Sequence, residues 1–258
     1  KRLTKILLSN GTVFFVFIAG YLFQYLVKKY EPGKYFIGKL KYVLLPYFLV
    51  SIPAIVYFVF FQHREGIPVE FYDNPRWLQI ISFYVTGSHL APLWFIPTIS
   101  LFYLISPLLV VWDKNGWIYA FLPLFILISC LVPREGGIYY SSFVHFFSIY
   151  VLGMFLSHYR EVINAALVKP IFLTALIFAY LPLVGVEFYL MQESTMSFIN
   201  LLRKLRLCAV FIGILIRLEG KFNDKYLKIL AETSFGIFFI HSYVISALKK
   251  IEENIKEN

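Results

Sequence analysis

Residues 40–61 read LKYVLLPYFLVSIPAIVYFVFF, and Lys41 is the one charged residue among them. A helix needs about 20 predominantly apolar residues to cross the hydrocarbon core of a bilayer. This stretch meets that length and is apolar on every side, whereas a soluble helix would carry one apolar stripe. Pro46 and Pro53 kink a membrane helix without forbidding it. Working outward, the same reading finds further apolar runs at 11–27, 92–112, 117–133, 142–158, 170–190, 204–218 and 231–248. The expectation is an all-α, polytopic transmembrane helix bundle of about eight spans. It forms one membrane domain over 1–258, incomplete at its N-terminus.

Composition supports the lipid reading. Apolar residues make up 59% of the chain and charged residues 15%, against roughly 45–50% and about 25% in soluble domains. Mean hydropathy is +0.71. The formal charge of +9 does not point to nucleic acid, because the cations sit in short connections between apolar runs, where they orient helices and meet anionic lipid. Lys28, Lys29, Lys34, Lys39 and Lys41 place the first connection on the cytoplasmic side, and alternation adds Lys114, Arg160 and Lys169. Arg64, Arg76 and Arg134 fall outside. The trio Arg203, Lys204 and Arg206 breaks the pattern, or marks charges drawn into the protein. In the long outer connection 62–91, the stretch 77–84 is too short to span, and either lies in the interface or dips into the membrane.

Cys130 and Cys208 form no CxxC and no Cys/His cluster, so neither a metal nor a disulfide framework is expected. There is no GxSxG, HExxH, P-loop or dinucleotide-binding glycine pattern, and Glu187 stands nearly alone among the spans. Any chemistry belongs to the membrane helices, where each ionisable residue is a functional candidate. His63 and His158 flank loops and read as interfacial residues, and His145 reads as a helix-end residue. His89, just before an aromatic-rich span, and His241, inside an apolar helix, are the catalytic candidates, since a neutral imidazole there needs a polar partner; a structural hydrogen bond to a neighbouring helix is the alternative. Lys39, Lys41, Arg203 and Arg206 are candidates for holding an anionic ligand, with lipid-headgroup anchoring as the alternative.

Four segments in order resemble one family. The run from Asn10 to Phe23 is similar to an "FFxxSGfL" helix, with Ala19 where Ser is usual. The segment ending Leu45-Pro46-Tyr47 resembles a basic "R…lPy" entry, with Lys in place of Arg. His89 to Ile96 resembles "hLWFl", and Ser234 to His241 resembles "SygiYliH"; Tyr150 to Gly153 adds a "yxxG" match. Together they resemble the integral-membrane acyltransferase 3 family of multi-span O-acyltransferases.

That resemblance implies ten helices, of which the eight spans here correspond to the second through the ninth. The family's presumed catalytic His then lies upstream of this chain. It also implies transfer of an acyl group, acetyl as the expected one, from acyl-CoA to a sugar hydroxyl of a surface or secreted polysaccharide or its lipid-linked precursor. A His general base would help the weak hydroxyl nucleophile. Lys39 and Lys41 would meet the CoA phosphates, and Trp94 and Ser234 join the substrate-binding candidates. The partners are acyl-CoA, the glycan acceptor and membrane lipid; no bound cofactor and no metal are expected. The location implied is a bacterial cytoplasmic membrane. A polysaccharide exporter or transporter built on the same helices remains the alternative.

Overall fold

The computed structural model describes residues 11–132, 139–189, 196–221 and 224–257, with the backbone alone at 196, 197, 224, 249, 250 and 252–257. Asn10 of the first motif, Pro133, Arg134 and the basic start of the chain lie outside the described residues. The described chain is helical, without a strand among those residues. In order the helices are α1 (Gly11–Tyr25), α2 (Pro32–Phe60), α3 (Arg76–Thr86), α4 (Phe95–Leu104), α5 (Ser106–Lys114), α6 (Trp117–Ala120), α7 (Leu122–Leu131), α8 (Tyr139–His158), α9 (Arg160–Val168), α10 (Pro170–Tyr189), α11 (Met196–Leu218) and α12 (Asp224–Glu257).

The chain is a helical membrane protein. Among the described residues four helices are single, long and apolar enough to cross a bilayer: α2, α8, α10 and the segment Lys225–Leu248 of α12. The other expected spans are shorter or interrupted. The run 92–112 breaks at Ile105 ahead of Pro107, and 117–133 breaks at Phe121 ahead of Pro123. Each proline stands in the first turn of the helix that follows, where its missing N–H has no intrahelical bond to lose and its fixed φ suits a helix start. Helix α11 is long enough at 23 residues, but Arg203, Lys204, Arg206 and Arg217 interrupt its apolar character.

Two compact units divide the chain: residues 1–30, 105–135 and 140–222 form the first, and 31–104, 136–139 and 223–258 the second. In the first unit α1 crosses α8 with their backbones in contact. A Cβ on Gly20 would collide with the Tyr150 carbonyl, and one on Gly153 with the Phe17 carbonyl. These are the glycines of the "FFxxSGfL" and "yxxG" segments, so the two resemblances meet at one crossing. Small residues let membrane helices pack closely where lipid supplies no hydrophobic drive between them. Phe17, Phe146, Ile149, Tyr150 and Met154 are buried around the crossing. Further on, Leu173 and Tyr180 of α10 pack with Val210 of α11.

In the second unit α2 starts earlier than expected and carries a π turn at Leu40–Leu44, closed by the Leu45 N–H on the Leu40 carbonyl. The wider turn stands directly before Pro46, whose missing N–H would interrupt the ordinary ladder. Tyrosine hydroxyls tie the helices together. Tyr47 donates to the Tyr84 carbonyl at 2.7 Å, Tyr84 to the Phe48 carbonyl at 3.2 Å, and Tyr243 to the Val50 carbonyl. In lipid a phenol must find such a partner, which also fixes the helix that carries it. The apolar centre gathers Tyr47, Ala54, Leu90, Leu93, Ile96 and Phe239, with Tyr84, Phe235, Phe238 and Tyr243 against them. The "lPy", "hLWFl" and "SygiYliH" segments, some 190 residues apart at their extremes, therefore share one core.

Candidate active site

His89 is the centre of the second unit's polar chemistry. Helix α3 stops at Gly87, which takes the left-handed conformation (φ 66°) and donates its N–H to the Phe83 carbonyl at 2.8 Å. A side chain at Gly87 would also strike the backbone of Leu93 and Trp94, so only glycine lets the loop fold this tightly. The turn sends His89 inward, where it is 0% exposed. Its Nδ1 lies 3.1 Å from the same Phe83 carbonyl. A carbonyl only accepts, so Nδ1 carries the proton and Nε2 keeps its lone pair. Nε2 is buried and has no hydrogen-bond partner among the described residues. Burial pushes the imidazole down to about 4; the Phe83 bond opposes this shift and the Arg64 charge adds to it. The group is a neutral base at physiological pH.

The His89 ring lies 6.0 Å from that of Tyr47, which fixes its depth. Tyr47 stands eight residues along α2 from Lys39, about 12 Å at the helical rise. Lys39 is half-buried, with Nζ 5.1 Å and 4.7 Å from the ring centres of Tyr35 and Tyr103. No described carboxylate pairs with it, so its charge is placed but not cancelled. Lys41 is exposed beside Tyr42.

The remaining candidates fall elsewhere. Trp94 sits in the loop that carries His89, edge-on to Phe95. His241 is half-buried and its Nδ1 bonds to the Ile237 carbonyl of its own helix at 3.1 Å. Ser234 is exposed and donates to the Ala231 carbonyl at 2.8 Å. Neither bonds to His89. In the first unit Arg203 is buried in an ion pair with Glu187 of α10, and Asn200 donates to the same carboxylate at 2.8 Å. These charges are drawn into the protein, and Glu187 is not alone. Arg206 is exposed and donates to the Ala179 carbonyl at 2.6 Å.

Reading residues singly also passed over a second histidine. His158, taken as interfacial, has Nδ1 2.9 Å from a carboxylate oxygen of buried Asp113, and the Tyr119 hydroxyl donates to the same oxygen. The only hint was an acidic residue, Asp113, at the end of an apolar run. A cavity of about 450 Å³ opens on the flank of this segment, lined by Trp112, Asn115, Trp117, Ile118, Phe121 and Phe125.

A family model for an acyltransferase domain matches residues 2–255. No curated protein matches the chain, and no solved structure does. With a match across nearly its whole length, on a helical membrane scaffold, this chain belongs to the acyltransferase 3 family and is a membrane acyltransferase.

Proposed function

We propose that the protein transfers an acyl group, acetyl in the first instance, from cytoplasmic acyl-CoA to a sugar hydroxyl of a cell-surface or secreted polysaccharide or its lipid-linked precursor, in a bacterial cytoplasmic membrane. The observation that carries this reading is His89: a buried neutral imidazole with Nδ1 held and Nε2 bare, beside Tyr47, which stands about 12 Å along α2 from an uncancelled lysine. Lys39 meets a CoA phosphate at the inner end of α2, and Lys41 adds to the field around it. The pantetheine arm is long enough to bring the thioester from there to the level of His89. Nε2 takes the proton of the sugar hydroxyl as its oxygen bonds to the acyl carbon. The C–S bond then breaks, and the proton leaves with the CoA thiol. Removal of water from the site strengthens these interactions.

Transfer of labelled acetyl from acetyl-CoA into saccharide tests the proposal. The full-length protein is assayed in membranes of the producing cells, with their own copy deleted and the protein restored. Wild type should label saccharide, and His89→Gln should lose at least about 100-fold of the rate while still binding acetyl-CoA. Folded wild-type protein that exports saccharide without labelling it would replace this reading with the transport one.

A further inference from the structure

The connection between α2 and α3 holds a second group that the acyl-transfer scheme leaves unused. The backbone N–H of Arg64 donates to the Tyr72 hydroxyl at 2.8 Å, and the Arg64 guanidinium carbon lies 5.8 Å from the ring centre of Phe58. Nη1 of Arg64 is buried and has no hydrogen-bond partner. Among the described residues no carboxylate pairs with the guanidinium. Burial alone is enough to press its pKa below the ordinary value, and its charge is close enough to lower that of His89. Gln79 adds a second orphan. Its Nε2 donates to the carbonyls of Tyr72 and Asn74 at 3.0 Å and 2.7 Å, while its Oε1 is buried and unpartnered. Tyr72 thus joins Arg64 to Gln79. Gln79 lies one turn before Phe83 on the buried face of α3, and Phe83 holds His89.

A guanidinium is costly to desolvate without an anion, and its planar fork fits carboxylate and phosphate oxygens. An aromatic face softens that cost but cancels no charge. We infer that Arg64 is the acceptor-side anion subsite of this enzyme: it binds a carboxylate or phosphate oxygen carried by the sugar acceptor, and Gln79 Oε1 accepts a hydroxyl of the same sugar. The acceptor is then an acidic sugar or a sugar on a phosphate linkage, presented so that a neighbouring hydroxyl reaches His89 Nε2. The inference rests on the O-acyl transfer reading, but its test is direct binding and needs no turnover.

Full-length protein in lipid nanodiscs is titrated with two matched pairs of probes, followed by intrinsic tryptophan fluorescence. One pair is a galacturonate oligosaccharide and its carboxyl-reduced twin; the other is farnesyl-diphosphate glucose and farnesyl glucoside. Wild type should bind the anionic member of one pair about 10- to 100-fold more tightly than its neutral twin, as a charged hydrogen bond provides. Preference within the first pair identifies an acidic sugar, and within the second a phosphate-linked one. Arg64→Gln should bring the preferred pair to near equality, leaving neutral binding unchanged, and Arg64→Lys should keep some of the preference. Equal binding of both members in both pairs, or a preference that persists in Arg64→Gln at an unchanged melting temperature, overturns the inference. A missing acetyl transfer alongside an intact anion preference would instead count against the transfer reading alone.

Discussion

Several ionisable side chains are held in opposite ways in the two units; exceptions are Arg160 over the Tyr25 ring in the first and the exposed pairs Lys34–Glu31 and Lys228–Glu232 in the second. In the first, charges meet their complements: Glu187 lies against Arg203, Asp113 against His158 with Tyr119 behind it, and Arg206 and Arg217 on backbone carbonyls. In the second, cations rest on aromatic rings: Lys39 on Tyr35 and Tyr103, Lys41 on Tyr42, Arg64 on Phe58 and Arg76 on Phe60. An ion pair uses up its charge in holding helices together. A cation over a ring is held in place and still carries its full charge to an incoming anion. The difference separates groups whose charge is spent on helix packing from groups whose charge is still available.

The largest effect expected from this contrast is at Glu187. Glu187→Ala removes the carboxylate that lies against buried Arg203 in the first unit and should cost up to about 3–5 kcal/mol, read as a fall in melting temperature in detergent; adding Arg203→Leu should restore some of it. A Glu187→Ala protein of unchanged stability would break the contrast on the first unit's side.

His89 comes next. Its folded pKa, about 4, lies below the ordinary 6.5, so between those values the unfolded chain binds a proton that the folded chain refuses. Stability is complete above pH 6.5 and is lost as pH falls toward 4, by up to about 3 kcal/mol. Melting curves across that window should show the loss, and His89→Gln should flatten it.

The helix crossing of the first unit provides a purely steric control. Gly20→Ala or Gly153→Ala must push the α1 and α8 backbones apart and should cost about 1–3 kcal/mol by overpacking, visible as lower melting temperature with the acyl-CoA affinity of surviving protein unchanged.

The smallest shift in energy falls at Lys39. Lys39→Met should leave the melting temperature nearly unaltered and raise the KM for acyl-CoA about tenfold, the worth of one modest charged contact. If its effect appeared in stability and not in KM, the ring-held lysine would be scaffold after all.

Much of the membrane body was legible in the primary structure because a bilayer demands apolar length, and 40–61, 142–158 and 170–190 supply it in unbroken runs. The shared core of three motif segments was legible only as order along the chain. Their meeting depends on Tyr47, Tyr84 and Tyr243 each finding a particular carbonyl on another helix, which no local pattern records. His89 stood out because it precedes an aromatic run, yet its depth follows from the left-handed turn at Gly87. The Asp113–His158 contact was hidden for a simpler reason: 45 residues separate the partners, and each alone looks like an ordinary helix end. Arg64 looked like one loop cation among several, since nothing in its neighbours announces that its guanidinium turns inward.

The π turn at Leu40–Leu44 holds one residue more than a regular helix requires. Deleting a single residue there would let the ladder run in ordinary register, and a local measure of helix quality would improve. Everything before the deletion would nonetheless swing by about 100° and draw in by about 1.5 Å relative to Tyr47. Lys39 would leave Tyr103 and face another quarter of the bilayer. The bearing of that lysine is thus written in a count of residues rather than in their identities, and a shortened chain could keep every side chain of the site and still point its cation the wrong way.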